Sequence, residues 1–209
     1  MAPAQTSSFE RFAGACAILT ALASLLYAVA FVILHNAVLG ALFLTAVGLL
    51  SSAVLVAVYH RLRETNAAFA LWALVLGIAG SFGSAVHGGY DLANAINPPG
   101  SALAELPSPV DPRGLLTFGA SGLALFVVGR LIVRGGQFPG YVGYLAYVSA
   151  FLLVVLYLAR LIVLEPSSPI IAIPALLSGF VVSPALYVVI GLALLSGGAV
   201  PEERSRRLR

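Results

Sequence analysis

The fold is decided by apolar stretches such as residues 67–89, which read AAFALWALVLGIAGSFGSAVHGG. These 23 residues contain no Asp, Glu, Lys or Arg. A helix rises about 1.5 Å per residue and the hydrocarbon layer of a bilayer is about 30 Å thick. The stretch is therefore long enough to cross a membrane, and it predicts a transmembrane helix.

Five other stretches have a similar length and character, and links with turn residues or charges separate them. The six predicted spans are Phe12 to Leu34, Ala37 to Tyr59, Ala67 to about Gly89, Gly114 to Val133, Gly140 to Val163 and Ile170 to Ser196. We predict an all-α, six-helix transmembrane bundle. Its expected parts are an N-terminal segment (1–11), the transmembrane domain (12–196) and an Arg-rich tail (197–209).

The composition also excludes several classes of protein. Of the 209 residues, 60% are apolar and 9% are charged, whereas soluble domains average about half and a quarter. The basic residues flank apolar segments and are not interleaved with base-stacking aromatics, so we expect membrane lipids and no nucleic acid as partners. All eleven basic residues are Arg, and the absence of Lys excludes a retinal-type Schiff base.

The distribution of arginine predicts the orientation, because cytoplasmic loops retain positive charge during insertion. With the N-terminus inside, nine of the eleven arginines fall on the cytoplasmic side, and only Arg113 and Arg160 fall outside. The net charge is then +5 inside and −2 outside, which together give the +3 of the chain. We expect a multi-pass plasma-membrane protein with both termini in the cytoplasm.

The third segment carries two patterns. Small residues recur every four positions at Ala73, Gly77, Ser81, Ala85 and Gly89, with Gly80, Ser84 and Gly88 beside them. Such residues let helices approach closely in lipid, so we expect a central helix held by its neighbours. Polar residues then follow at helical spacing: Ser84, His87, Asp91 and Asn94, with Tyr90 beside them.

If the third helix continues to Ile96, before Asn97 and Pro98, it is about 45 Å long and its polar stripe borders an outward-facing vestibule. His87 and Asp91, one turn apart, could share a hydrogen bond. Arg113 and Arg160 are predicted to lie on the same outer side of the membrane as this stripe. Two interpretations of Arg160 remain open.

In the first, Arg160 extends to the interface or pairs with Glu165 or Asp91. In the second, it anchors an anion or lipid head group together with the stripe. The candidate ligand-binding residues are Ser84, His87, Tyr90, Asp91, Arg113 and Arg160.

Other signals point to packing. Pro174 and Pro184 lie inside the sixth segment, where we expect a kink or local unwinding. Residues 119–122 read GASG, which matches the GxSG motif of rhomboid proteases. No histidine follows this motif, so it is interpreted as a close-packing patch. Cys16 is the single cysteine and is expected to pack in the bundle.

No cofactor and no metal site is predicted. The three histidines are His35, His60 and His87, and His60 falls on the opposite side of the membrane from the other two, which argues against a three-histidine zinc site. The chain has neither a Walker loop nor a GxGxxG motif, so nucleotide binding has no sequence support.

Three stretches resemble a bacterial membrane family catalogued as domain of unknown function 4386. They are Arg11-Phe12-Ala13-Gly14, the link from Arg130 to Leu145 that reads RLIVRGGQFPGYVGYL, and Pro184 to Leu192. The resemblance covers nearly the whole chain, from Arg11 to Leu195. It implies a compact six-helix fold with the Arg-Gly-Gly and Phe-Pro-Gly link as a structural turn, and it supplies no catalytic residues.

Three functional hypotheses follow. The first is a non-enzymatic protein that binds or moves a small amphiphile or anion through the bundle. The second is an outward-facing enzyme in which His87 and Asp91 act as an acid and base pair. The third is a structural subunit that uses the small-residue face of the third helix and the Arg-rich tail.

Overall fold

The computed structural model describes residues 7–98, 115–163 and 168–197. These residues form six helices, each long and apolar enough to cross a membrane, and no strand occurs among them. The helices are α1 (Ser8–Ile33), α2 (Ala37–Leu62), α3 (Ala67–Ile96), α4 (Leu115–Ala120 continuing into Ser121–Gly135), α5 (Gly140–Ile162) and α6 (Pro169–Leu195). The predicted all-α, six-helix architecture is confirmed.

Side-chain caps explain where the helices begin. α1 starts at Ser8, ahead of the predicted Phe12, because Ser7 and Glu10 form a capping box. The Ser7 hydroxyl accepts the Glu10 N–H at 3.1 Å, and the Glu10 carboxylate accepts the Ser7 N–H at 3.4 Å. α3 continues past the predicted span end near Gly89 to Ile96, the end considered as a condition in the sequence analysis.

The helices form a ring in which chain order is also spatial order. Each helix packs mainly against the two that flank it in sequence, and α6 packs against α1 to close the ring. Neighbours run antiparallel: a Cβ at Gly14, near the start of α1, would contact Leu195 at the end of α6. At the other end of these helices, a Cβ at Gly179 would contact Ala28.

Glycines allow α3 to approach both of its neighbours. A Cβ at Gly77 or Gly88 would collide with α2, and a Cβ at Gly80 or Gly83 would collide with α4. The predicted packing of α3 through small residues is therefore found, but it uses two faces. The prediction was wrong for Gly89, which has no atom within 4 Å of where a Cβ would lie.

Three helices contain a π-helical turn, where one extra residue widens the backbone. These turns are Val29–Ile33 in α1, Leu115–Ala120 in α4 and Ser178–Val182 in α6. In α6, where a kink or local unwinding was expected, the π turn lies just before Pro184. Proline has no N–H and clashes with the preceding turn, and a π turn accommodates that clash without breaking the helix.

The two ends of the bundle differ in their cores. We call the end that carries His87 and Arg160 the His87 end, and the opposite end, which carries Glu10 and Arg61, the Arg61 end. The larger apolar core fills the Arg61 half and draws on all six helices. The second buried cluster lies at the His87 end and consists of Leu156, Ala159 and Ile171, with Phe118 and Val163 packed against it.

Arg61 closes the Arg61 end. Its Nε lies 2.8 Å from Oε1 of Glu10 on α1, and its Nη1 donates to the carbonyl of Ala193 on α6 at 3.1 Å. The guanidinium also lies 5.2 Å from the centroid of the Phe138 ring, in the link between α4 and α5. One side chain on α2 therefore joins three other parts of the bundle, a role that the sequence analysis did not assign to it.

Candidate functional site

The fully buried polar residues lie away from the Arg61 end, where the Arg61 and Glu10 side chains are partly buried. Among the described residues, the eight buried polar ones are all Ser or Thr. They lie at the middle of the helices or toward the His87 end: Thr20, Ser24, Ser51, Ser81, Ser84, Thr117, Ser149 and Ser178. In the middle, the hydroxyls of Ser51 and Ser81 are 2.9 Å apart and link α2 to α3. The interior therefore changes from apolar to polar along the bundle axis.

His87 and Asp91 meet at the outer part of α3, as their spacing predicts. Nε2 of His87 lies 3.3 Å from Oδ2 of Asp91, and the two side chains are 14% and 41% exposed. The imidazole is thus largely enclosed and the carboxylate is partly open. A carboxylate beside an imidazole fixes the orientation of the ring.

Tyr27 is a partly buried tyrosine at the His87 end. Tyr27 lies on α1, Asp91 on α3 and Arg160 on α5, and none of these helices flanks another in the ring. Three alternate helices therefore carry polar side chains at this end of the bundle.

Arg160 is exposed and lies against an aromatic ring. Its guanidinium carbon is 5.8 Å from the centroid of Phe118, in the π turn of α4. Phe118 also packs against the buried cluster of Leu156, Ala159 and Ile171. The cation thus stands beside an apolar surface, an arrangement that stabilises a guanidinium by about 0.5–1 kcal/mol at an exposed position.

All three π turns lie near this region. Tyr27 lies two residues before the turn in α1, Phe118 lies within the turn in α4, and Ser178 opens the turn in α6. The extra residue of a π turn re-aims the side chains that follow, and such turns are frequent at functional sites. The three turns therefore indicate that a functional site lies in the half of the bundle that contains His87 and Arg160.

Thr117 adds a polar atom at the same turn. Its side chain is 8% exposed, and its hydroxyl has no hydrogen-bond partner among the described residues. Buried hydroxyls in proteins are nearly always paired with protein, water or a ligand. The Thr117 hydroxyl is therefore available to a molecule that enters the interior.

The remaining predicted residues have different surroundings. Ser84 is buried and donates its hydroxyl to the carbonyl of Gly80 at 3.2 Å, within its own helix. Tyr90 is 46% exposed and shares a side of α3 with the exposed Phe82 and Val86. Arg113 lies outside the described residues. The structure thus pairs His87 with Asp91 and places Arg160 against Phe118 at the same end of the bundle, with Ser84 below them and Tyr90 toward the outside.

The sequence analysis missed Tyr27, Thr117 and Phe118. Tyr27 had a detectable signal, because Thr20, Ser24 and Tyr27 follow one another at spacings of four and three, which is typical of one helix face. Phe118 had none, since an aromatic residue in an apolar span is ordinary. Its position depends on the π turn, which the local sequence does not reveal.

Several outward surfaces are strongly apolar, with Phe151 68% and Ile162 75% exposed. Small buried residues and large exposed apolar ones are the arrangement expected in lipid. The fold and its polar interior define the class as a multi-pass α-helical membrane protein.

No family model, no curated protein and no solved structure matches the chain. Among the described residues, no group of three or more His, Cys, Asp or Glu could hold a metal.

Proposed function

We propose that the bundle binds a small anion or anionic amphiphile in the interior of the His87 end and moves it across the membrane. The observation that carries the proposal is that Arg160 lies 5.8 Å from the Phe118 ring centroid at the same end of the bundle as the His87 and Asp91 pair. A charge inside a membrane bundle is costly and occurs mainly where it serves a pathway or a ligand. Arg160 supplies the positive charge that such an anion needs.

The contrast between the two halves supports the same function. At the Arg61 end the described residues form the larger apolar core, and the void beside Leu55, Ala73 and Val128 has a volume of only about 10 Å³. That volume is at the lower limit for a single water molecule. This contrast supports a ligand site at the His87 end rather than at the Arg61 end.

The enzyme hypothesis has weaker support. A nucleophile next to the His87 and Asp91 pair would have to be activated by it. The nearest described candidate on α3, Ser84, directs its hydroxyl to the Gly80 carbonyl. Binding therefore explains the site better than hydrolysis does. The third hypothesis, a structural subunit, leaves the Arg160 and Phe118 arrangement without a role.

Ligand-dependent stability tests the function. In detergent solution, at least one anion from a panel of phosphate, sulfate, acetate and longer carboxylates should raise the free energy of unfolding. A ligand at one hundred times its Kd adds about 2.7 kcal/mol. The double variant His87→Ala with Arg160→Ala should lose this gain, because it removes the cation and the group that orients Asp91. Thermal unfolding monitored by tryptophan fluorescence measures both.

Arg130→Ala is the matched control, since Arg130 is an exposed arginine near the opposite end of the bundle. Its anion-dependent stabilisation should equal that of the unchanged protein. The proposal fails if no anion stabilises the protein, or if the double variant keeps the full effect.

We further propose that both termini lie in the cytoplasm of a bacterial plasma membrane, so that the His87 end faces outward. The support is the excess of arginine on the Arg61 side and the resemblance to the domain of unknown function 4386 family. A fluorescent protein that matures only in the cytoplasm should fluoresce when fused to either terminus. A periplasmic alkaline phosphatase fusion at either terminus should be inactive, and activity there would reverse the orientation.

A further inference from the structure

Two arginines lie on the lipid-facing side of α4, near the Arg61 end. Arg130 and Arg134 are one helical turn apart, so their side chains share one face of the helix. Both are exposed, and Leu123 and Phe126, which precede them on the same face, are 50% and 57% exposed. The arginine pair therefore stands among side chains that contact lipid, outside the interior of the bundle.

The packing of α4 on α5 fixes the depth of this pair. A Cβ at Gly129 would lie 2.9 Å from the carbonyl oxygen of Gly143, so the next residues, Arg130 and Tyr144, lie at nearly the same depth. The Tyr144 side chain is 64% exposed. Exposed tyrosine rings are typical of the membrane–water interface, where lipid head groups lie. Arg130 and Arg134 are thus within reach of head groups.

The protein supplies no anion for this pair within the part of the chain that the structure describes. The ion pairs found there use Arg61 and His87. The carboxylate of Glu64, in the link between α2 and α3, accepts a hydrogen bond from Gln137. A cation on the lipid-facing surface of a spanning helix is costly unless it extends to the interface and finds an anion. At that depth a lipid phosphate is such an anion.

The surface below the arginines suits an acyl chain. The rings of Phe126 on α4 and Tyr147 on α5 have centroids 5.3 Å apart, so aromatic side chains cover the junction of the two helices. Phe151 follows Tyr147 by one turn toward the bilayer centre and is 68% exposed. An acyl chain that lies along these rings leaves its phosphate at the level of the arginines.

We infer that Arg130 and Arg134 bind the phosphate of an anionic phospholipid whose acyl chain lies over Phe126 and Phe151. Guanidinium groups donate paired hydrogen bonds to phosphate oxygens. A zwitterionic head group carries an ammonium beside its phosphate, and two arginines repel that cation. The site therefore prefers a lipid such as phosphatidylglycerol. It is independent of the proposed function, which uses the opposite end of the bundle.

Native mass spectrometry of the full-length chain in detergent tests the inference, with phosphatidylglycerol and phosphatidylcholine as probes. Phosphatidylglycerol should bind about fivefold more tightly, since the two lipids differ by one cation near the arginines. The double variant Arg130→Ala with Arg134→Ala should weaken phosphatidylglycerol binding at least about tenfold, because it loses hydrogen bonds to a charged group. The variant Arg130→Lys with Arg134→Lys keeps the charges and should recover part of the affinity.

Arg11→Ala with Arg63→Ala is the matched control, because these exposed arginines lie at the same end of the bundle but on α1 and at the end of α2. It removes the same charge and should change the affinity for phosphatidylglycerol by less than about twofold. The inference is wrong if the two lipids bind equally, if the Arg130 and Arg134 alanine variant keeps its affinity, or if the control loses as much. Thermal unfolding without lipid checks that each variant is folded, and the lysine pair replaces the alanine pair if the latter is not.

Inorganic phosphate separates a lipid site from a site for free anions. It has no acyl chain and should not displace phosphatidylglycerol even in large excess. Displacement would overturn the lipid assignment. His87→Ala with Arg160→Ala should bind phosphatidylglycerol as the unchanged protein does, so this inference and the proposed function can fail separately. A loss of lipid binding in that variant would count against Arg130 and Arg134 as the site.

Discussion

Gly48→Ala is expected to lower the free energy of unfolding by about 2–3 kcal/mol, although it adds a single methyl group. An ideal Cβ at Gly48 would lie 2.5 Å from the backbone nitrogen of Ala85 and 2.5 Å from the backbone oxygen of Ser81. Backbone atoms cannot rotate away as side-chain ends can. The variant must therefore separate α2 from α3, which also weakens the nearby hydrogen bond between Ser51 and Ser81.

Gly40→Ala is the matched control in the same helix. A Cβ at Gly40 would have nothing within 4 Å. Alanine favours a helix over glycine by up to about 1 kcal/mol, so this variant should be neutral or stabilising. Thermal or denaturant unfolding of the two variants should give changes of opposite sign. Equal changes would show that α2 and α3 are not as close as the structure places them.

Arg61→Ala is expected to destabilise the protein by about 3 kcal/mol, the lower part of the range for breaking a buried ion pair. The Arg61 and Glu10 side chains are only 10% and 21% exposed. The variant leaves the Glu10 carboxylate without its cation, frees the Ala193 carbonyl and removes the contact with the Phe138 ring. Denaturant unfolding in detergent measures the loss.

Two further variants separate the effect of the Arg61 and Glu10 charges on stability from other effects of the substitution. Arg63→Ala removes an exposed arginine at the same end of α2 and should change stability by less than about 0.5 kcal/mol. Glu10→Gln keeps a side chain that serves in a capping box while removing the charge. Combined with Arg61→Ala, it should recover part of the loss, because no unpaired carboxylate remains. A double variant as unstable as the sum of the single ones would argue against the ion pair.

The Arg61 contacts suggest how the carrier proposed above could open. Polar contacts on a few side chains join the helices at the Arg61 end. One of them is a hydrogen bond of 2.9 Å from the Gln137 amide, in the link between α4 and α5, to the Glu64 carboxylate, in the link between α2 and α3. Such contacts can break without exposing a large apolar surface. The apolar core next to them would have to part as well, which is a larger rearrangement.

Much of the architecture follows from local sequence. The apolar run predicted a helix from Ala67 to about Gly89, and the Asn97-Pro98 stop marked Ile96, where α3 ends, as its furthest possible end. The proximity of His87 to Asp91 was predicted from a spacing of one helical turn. The start of α1 could have been placed at Ser8 from the Ser7 and Glu10 capping box. Each of these depends on residues within a few turns of one another.

Other features could not be predicted in this way. Whether an α3 glycine is needed for packing depends on which helix lies beside it. The period-four pattern included Gly89, where a Cβ would have no atom within 4 Å, and it omitted Gly83, where a Cβ would collide with α4. Pro184 signalled a disturbance in α6, but not that the backbone would widen into a π turn. The corresponding turns in α1 and α4 have no proline to signal them.

The amino-acid sequence by itself determined that six segments are helices able to span a bilayer, because length, hydropathy and backbone hydrogen bonding in lipid act within each segment. Only the tertiary structure decided that Arg160 lies against Phe118 and that Arg61 joins α1, α6 and the link at Phe138. Those relationships join residues distant in the chain. They arise from the order of helices around the ring and from how closely small residues let them pack.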